Sequence, residues 1–108
     1  MKFGLTGDTH NNLKNIEEIC RIFNSLRLDF VIHTGDISLP KSLEAFRSLK
    51  VPLKGVFGNN DEGDKKDLLK VCQKYNFDFS EYQKIGISKC NYIHVIHDPE
   101  DIKEDFFK

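Results

Sequence analysis

The stretch KFGLTGDTH, residues 2–10, decides the fold of this chain. Its apolar first half predicts a strand over residues 2–6, and Gly7 then opens a loop that carries Asp8 and His10. Apolar residues recur at helical spacing after this loop, at Leu13, Ile16, Cys20, Phe23 and Leu26. The stretch therefore begins a unit of strand, loop and helix.

The same unit repeats along the chain. Phe30, Val31 and Ile32 form the continuous apolar run expected of a strand covered on both faces, and this strand, over residues 29–34, runs into Gly35-Asp36. Ser38 is the expected cap of a second helix. The elements predicted after it are a strand over 52–57, a helix over 65–75 with its exit at 76–80, a hairpin of strands over 81–87 and 91–96, and a final helix from Asp98.

Strands that alternate with helices predict an α/β fold with a largely parallel sheet and right-handed crossovers. In such sheets, ligands bind beyond the carboxyl ends of the strands. Polar motifs follow four of the predicted strands, namely Asp8-Thr9-His10, Gly35-Asp36, Gly58-Asn59-Asn60-Asp61 and His97. We therefore expect these four segments to converge at one rim of the sheet.

Each motif by itself also fits a plain structural role. Asp8 and His10, two apart in an extended loop, are able to share a metal ion, but they also fit a helix-entry cap with a surface histidine. Gly35-Asp36 fits an ordinary turn, and His97 fits a strand cap. Gly58-Asn59-Asn60-Asp61 fits a polar loop, although an amide oxygen suits a hard divalent ion in a mixed ligand shell. The set and its order indicate a metal centre.

In that set and order the motifs resemble the calcineurin-like metallophosphoesterase superfamily, and within it the small archaeal and bacterial phosphodiesterase branch. The resemblance covers essentially the whole chain. It implies an αββα sandwich with two divalent metal ions, manganese first, with nickel, zinc, iron or magnesium as alternatives. It implies that Asp8 and His10 bind the first ion. By the same resemblance Asp36 bridges both ions, and Asn59 and His97 bind the second.

The expected activity is hydrolysis of phosphate esters, phosphodiesters above all, by a metal-activated water at this dinuclear site. Two cations about 3.5 to 4 Å apart clamp a phosphate group and lower the pKa of a bridging water. Asn60 and Asp61 are the expected catalytic residues beside the ligands. Many superfamily members carry a histidine at the Asn60 position, and an amide cannot protonate a leaving group in its place. Asp61 is expected outside the ligand shell, orienting Asn59 or Asn60.

The sequence departs from the family pattern after His97. Family members continue into a Gly-His-x-His loop and closing strands of the second sheet, and no Gly-His pair occurs here. We therefore expect residues 1–108 to form a single calcineurin-like phosphoesterase domain that lacks this segment, as a truncated homologue, a fragment, or a subunit completed by self-association. The second sheet is expected to keep an unpaired edge, which such self-association would cover. A weakly active or inactive member that serves as a protein-interaction module is the alternative function.

Bulk properties narrow the remaining choices. The 108 residues carry a formal net charge of −1 and 39% hydrophobic residues, which is typical of a globular domain and gives no sign of a nucleic-acid-coating surface. No apolar run has the length of a signal peptide or membrane span, so we expect a small phosphate-ester substrate, no membrane partner and a cytoplasmic location. The wide spacing of the cysteines predicts reduced, buried thiols at Cys20, Cys72 and Cys90. We expect structural roles for His33 and His94, because both lie inside predicted strands.

Overall fold

The structure, a computed structural model, describes residues 2–10 and 12–97, except for the side chains of Asn59 and Asn60. Its elements, in chain order, are β1 (Phe3–Thr6), α1 (Leu13–Ser25), β2 (Phe30–His33), α2 (Pro40–Glu44), β3 (Leu53–Val56), α3 (Lys65–Tyr75), β4 (Asp78–Ser80), β5 (Gln83–Gly86) and β6 (Tyr92–Val95). Two short 3-10 helices, Ala45–Ser48 and Asn59–Asp64, follow α2 and precede α3. None of the described helices has the length and apolar character needed to cross a membrane. The final helix predicted from Asp98 lies outside the described residues.

Four parallel strands form the main sheet, in the order β1-β2-β3-β4. Phe3 pairs with Phe30, and Val31 pairs with Leu53, so the carboxyl ends of neighbouring strands meet at one edge. The predicted hairpin, β5 and β6, forms a separate antiparallel pair. The predicted α/β fold with a largely parallel first sheet is confirmed.

The central strand β2 of the main sheet is buried on both faces. On one face, Val31 and Leu53 pack against the helices in the helix-side core. On the other face, Phe30 and Ile32 pack against Ile85 of the hairpin in the inter-sheet core. Alternate residues of β2 therefore serve two cores, which explains why this strand reads as one continuous apolar run.

Residues 76–80, predicted as the exit from α3, contain a fourth strand of the main sheet. Asn76 ends the helix in the left-handed conformation, with a φ of 58°. Asp78–Ser80 then pairs with β3, and Phe79 is buried in the helix-side core. A three-residue strand carries too little periodicity to be predicted, so pairing with β3 decides it.

The three cysteines fall into two environments. Cys20 and Cys72 are buried, as predicted, and burial raises the pKa of both thiols, that of Cys72 to about 11. Cys90 is exposed, so the prediction of a buried thiol is wrong there. Its position in the tight turn between β5 and β6 directs the side chain into solvent.

Candidate metal centre

Three of the predicted ligands meet where β1 and β2 end. Asp8 and His10 lie in the loop after β1, and Asp36 lies in the loop after β2. The backbone N–H groups of Asp8 and His10 donate to the carbonyls of Gly35 and Asp36, at 2.9 and 3.1 Å. One ligand atom from each of the three side chains lies within 4.8 Å of the other two. The structure thus brings these side chains together at one rim of the sheet.

The backbone of both loops adopts an unusual conformation. Asp8, His10, Asp36 and Ser38 have φ values of 49°, 46°, 61° and 75°. In the part of the chain that the structure describes, the only other non-glycine residue with positive φ is Asn76 at the end of α3. Left-handed conformations cost free energy and persist where the surroundings impose them, commonly at functional sites. This backbone strain therefore favours a functional site in the two loops over an ordinary pair of turns.

His97 joins this group from the end of the second sheet. It follows β6, and its Nε2 atom lies 3.3 Å from Oδ2 of Asp36. Its Nδ1 atom lies 2.8 Å from the carbonyl oxygen of Thr34. Because a carbonyl oxygen only accepts, Nδ1 carries the proton and donates the hydrogen bond. In the neutral ring the lone pair is then on Nε2, facing Asp36. A backbone carbonyl orients metal-binding histidines in the same manner.

Negative charge converges on the His97 ring. Burial lowers the pKa of the imidazole, but the Thr34 carbonyl raises it, as do the carboxylates of Asp36, Asp8 and Asp61. The net effect leaves the pKa above its ordinary value of 6.5. A position that stabilises a cationic ring in this way also suits a bound cation.

Asp61 holds the loops through their backbones. Its side chain is fully buried. Its Oδ2 atom accepts from the N–H groups of Asp36 at 3.0 Å and Gly58 at 2.8 Å. Its Oδ1 atom accepts from the N–H group of Ser38 at 2.7 Å. Three charge-assisted hydrogen bonds compensate for removing this carboxylate from water, and they tie the loop after β2 to the loop after β3.

Two glycines permit the close approach of the side chains at this centre. A Cβ atom at Gly58 would lie 2.1 Å from Oδ1 of Asp36, so the carboxylate rests directly on the Gly58 backbone. Gly35 has a φ of 113°, and a Cβ atom there would lie 2.5 Å from Nδ1 of His97. Neither position accommodates a side chain without displacing a predicted ligand.

Residues 1–107 match the family model of the calcineurin-like phosphoesterase superfamily domain. The chain belongs to this superfamily. The family inferred from the order of the motifs is therefore confirmed.

A curated protein and a solved structure that are similar to this superfamily member are each described as a phosphodiesterase. Phosphodiesterase MJ0936 of Methanocaldococcus jannaschii is 38% identical over 61 residues, which are 56% of this chain and 37% of that protein. A solved structure described as a novel archaeal phosphodiesterase matches with a TM-score of 0.79 at 28% identity, covering 87% of this chain and 57% of that one. The chain thus spans less than two thirds of the length of either relative.

Two predicted residues of the candidate metal centre are only partly described. Asn59 and Asn60 begin the 3-10 helix Asn59–Asp64. Their side chains lie outside the described part of the structure, so the ligand role of Asn59 and the catalytic role of Asn60 stay predictions. The sequence predicts that Asp61 orients one of these amides. The described hydrogen bonds of Asp61 go to backbone groups. Because the side chains of Asn59 and Asn60 lie outside the described part, the orienting role of Asp61 stays a prediction.

Ser38 is a residue of the candidate metal centre that sequence reasoning missed. The sequence predicts it as the cap of α2, but Leu39 occupies the cap position and no side chain caps the helix. Ser38 instead lies with its Oγ atom 3.1 Å from Nδ1 of His10 and donates its N–H group to Asp61. The signal in the sequence is a hydroxyl two residues after Asp36, which is also the pattern of a helix cap.

Proposed function

We propose that this chain holds two divalent metal ions at the carboxyl edge of its parallel sheet and hydrolyses phosphate esters, with phosphodiesters as the main substrate class. The observation that carries the proposal is the approach of Asp8, His10 and Asp36, whose ligand atoms lie within 4.8 Å of one another. Membership of the superfamily supports this reaction class, as does the similarity to a curated protein and to a solved structure that are each described as a phosphodiesterase.

The donor set fits two ions that share one carboxylate. In this proposal Asp8 and His10 hold the first ion, and Asn59 and His97 hold the second. Asp36 bridges them, which its position supports. Its carboxylate lies within 4.8 Å of the first pair and 3.3 Å from Nε2 of His97. Carboxylate, imidazole and amide donors suit first-row divalent ions, so we take manganese as the first candidate, with nickel, zinc, iron and magnesium as alternatives.

The charge of the loaded centre would favour an anionic substrate. Asp8, Asp36 and the buried Asp61 supply three negative charges against four positive charges from two divalent ions. The centre would therefore be net positive, although the chain has a formal net charge of −1. When bound, the ions supply charge to the phosphoryl oxygens and lower the pKa of water. The residues of the chain supply the positions of these charges.

Asn60 sets the expected preference among esters. An amide cannot protonate a departing oxygen, and general acid catalysis typically contributes about 10² to 10⁴-fold. Aryl diesters, whose leaving groups depart as stable anions, should therefore react much faster than alkyl diesters. Asn60→His should narrow the difference because it offers a proton donor. Equal rates for the two ester types with the metal-loaded wild type would contradict this assignment.

The deciding experiment measures bound metal and hydrolysis in one preparation. The chain is loaded separately with Mn²⁺, Ni²⁺, Zn²⁺ or Mg²⁺, its metal content is counted, and an activated aryl phosphodiester is the substrate. Asp36→Asn removes the proposed bridge. Asp67→Asn is the matched control, because Asp67 is exposed on α3 and lies 3.8 Å from Lys70.

We expect the wild type and Asp67→Asn to bind two ions and to hydrolyse the diester. Asp36→Asn should lose both the bound metal and the activity. Wild-type protein that carries no metal and shows no activity at saturating Mn²⁺ would overturn the proposal. Full activity in Asp36→Asn would remove this carboxylate from the mechanism.

We also propose self-association through β1, at an edge of the main sheet and not at the second-sheet edge expected from the sequence. This strand lies at one end of the main sheet, and Leu5 on it is 61% exposed. Because side chains alternate along a strand, Leu5 points to the same side as Phe3, which packs against the inter-sheet core. A second copy along this edge would cover Leu5. Sedimentation velocity should give a dimer for the wild type and a monomer for Leu5→Lys, and a monomeric wild type would contradict this assembly.

A further inference from the structure

His33 lies beneath the two loops that carry Asp8, His10 and Asp36. It is the last residue of β2, it is fully buried, and its ring packs edge-on against Phe46 with centroids 5.7 Å apart. A phenyl ring would satisfy this packing equally well. The polar atoms of the imidazole therefore need a separate explanation.

Both nitrogens of His33 bind loop residues. Nδ1 lies 3.0 Å from the backbone nitrogen of Gly35, and Nε2 lies 2.9 Å from Oγ1 of Thr9. The Gly35 N–H group only donates, so Nδ1 is the acceptor and carries no proton. Burial lowers the pKa of His33 to about 4, so the ring is neutral at physiological pH. The proton is then on Nε2, and this N–H group donates a hydrogen bond to Oγ1 of Thr9.

The two partners of His33 stand beside the predicted ligands. Thr9 is buried between Asp8 and His10, whose φ values are 49° and 46°. Gly35 precedes Asp36, whose φ is 61°. One imidazole thus ties the middle of the first loop to the start of the second. Without such a tie, left-handed residues relax toward ordinary φ values and their side chains turn away.

We propose that His33 is a positioning residue of the metal centre, and that its hydrogen bond to Thr9 sets the distance of Asp8 and His10 from Asp36. This inference rests on the proposed metal-binding function and deepens it. It assigns part of the affinity for metal to a side chain that does not touch the metal. Supporting groups of this kind typically contribute about 10 to 100-fold in affinity.

Variants of Thr9 and His33 separate positioning from packing. Thr9→Val keeps the shape of the side chain and removes the acceptor, whereas Thr9→Ser keeps the hydroxyl. His33→Asn keeps an acceptor near the position of Nδ1 and removes the Nε2 donor. Val71→Ala serves as the control for general destabilisation, because Val71 packs in the helix-side core and belongs to neither loop.

Mn²⁺ affinity is measured by calorimetry on the full chain, with urea unfolding of each variant alongside. We expect Thr9→Val and His33→Asn each to weaken Mn²⁺ binding by about 10 to 100-fold, with Thr9→Ser close to the wild type. The double variant Thr9→Val/His33→Asn should bind Mn²⁺ no more weakly than the weaker-binding single variant. Both substitutions remove the same hydrogen bond, so their effects should not add. Val71→Ala should lose stability and keep its affinity.

Nitrogen NMR of the metal-free wild type provides a readout independent of metal. It should show His33 with its proton on Nε2, and a proton on Nδ1 would overturn the inference. Unchanged affinity in Thr9→Val, additive losses in the double variant, or an equal loss in Val71→Ala would also overturn it and leave the proposed function standing. A wild type without Asp36-dependent Mn²⁺ binding would overturn the proposed function and this inference together.

Discussion

Replacing Asp61 by asparagine tests whether the centre is assembled through backbone hydrogen bonds. Asp61→Asn keeps the shape of the side chain, but one carboxylate oxygen becomes an NH₂ group that cannot accept. If the amide oxygen keeps its bonds to Asp36 and Gly58, the Ser38 N–H group faces another donor. The opposite orientation leaves two donors without an acceptor and is therefore worse.

The expected loss follows from the number of bonds. One donor left without an acceptor costs about 1–3 kcal/mol, and turning two charge-assisted bonds into neutral ones costs roughly 1 kcal/mol each. The free energy of unfolding of Asp61→Asn should therefore fall by about 3–5 kcal/mol. This is a large share of the roughly 5–15 kcal/mol that stabilises an ordinary domain. Asp61→Ala removes the acceptor from all three N–H groups and should be at least as damaging.

Urea unfolding followed by circular dichroism measures this loss in metal-free protein, with Asp67→Asn as the control for losing an exposed carboxylate. Mn²⁺ titration in the same buffer should show weaker binding by about 10 to 100-fold, because the Asp36 backbone is no longer held. A change in unfolding free energy within about 0.5 kcal/mol for Asp61→Asn would refute the reasoning, since that is the range of ordinary surface substitutions.

Two further predictions concern Gly58 and His33. Gly58→Ala places a methyl group 2.1 Å from Oδ1 of Asp36, whereas a Cβ atom at Gly63 would meet nothing within 4 Å. Calorimetry should therefore show at least about 10-fold weaker Mn²⁺ binding in Gly58→Ala and no change in Gly63→Ala, and equal affinities would disprove the close approach. Burial lowers the pKa of His33 from 6.5 to about 4, so below pH 6.5 the unfolded chain takes up a proton that the folded chain does not. The contribution of neutral His33 to the free energy of unfolding is thus full above pH 6.5, and it falls by about 3 kcal/mol as the pH is lowered to 4. Urea unfolding between these pH values should show this fall in the wild type and not in His33→Asn. The same fall in both proteins would show that the assignment is wrong.

Local patterns predicted most of the fold. The apolar run Phe30-Val31-Ile32 is typical of a doubly covered strand, and the structure uses its alternate residues in two cores. β4 could not be predicted in the same way, because three residues give no periodicity and β3 provides the pairing. The exposure of Cys90 was predictable, because residue 90 falls in the turn between the two predicted hairpin strands and connecting turns lie at the surface. The prediction of a buried thiol followed the residue type instead of this position.

The members of the candidate centre were also predictable from the sequence. Asp8, His10, Asp36 and His97 each follow a predicted strand, and parallel strands end at one edge of their sheet. For His97, which follows an antiparallel hairpin, only the packing of the second sheet on the first brings it within 3.3 Å of Asp36. The sequence motif identifies His97 as a member of the centre but does not predict its distance from Asp36.

The sequence by itself therefore determined the fold class, the family and the residues that meet at the rim. The tertiary structure alone decided what holds them there. Ser38, His33 and Asp61 act through hydrogen bonds to residues 23 to 28 positions away. Such bonds leave no periodic trace in a sequence, because periodicity reports which face of one element is buried. The left-handed φ values of the loops likewise depend on contacts between distant segments, which exist only once the strands have aligned.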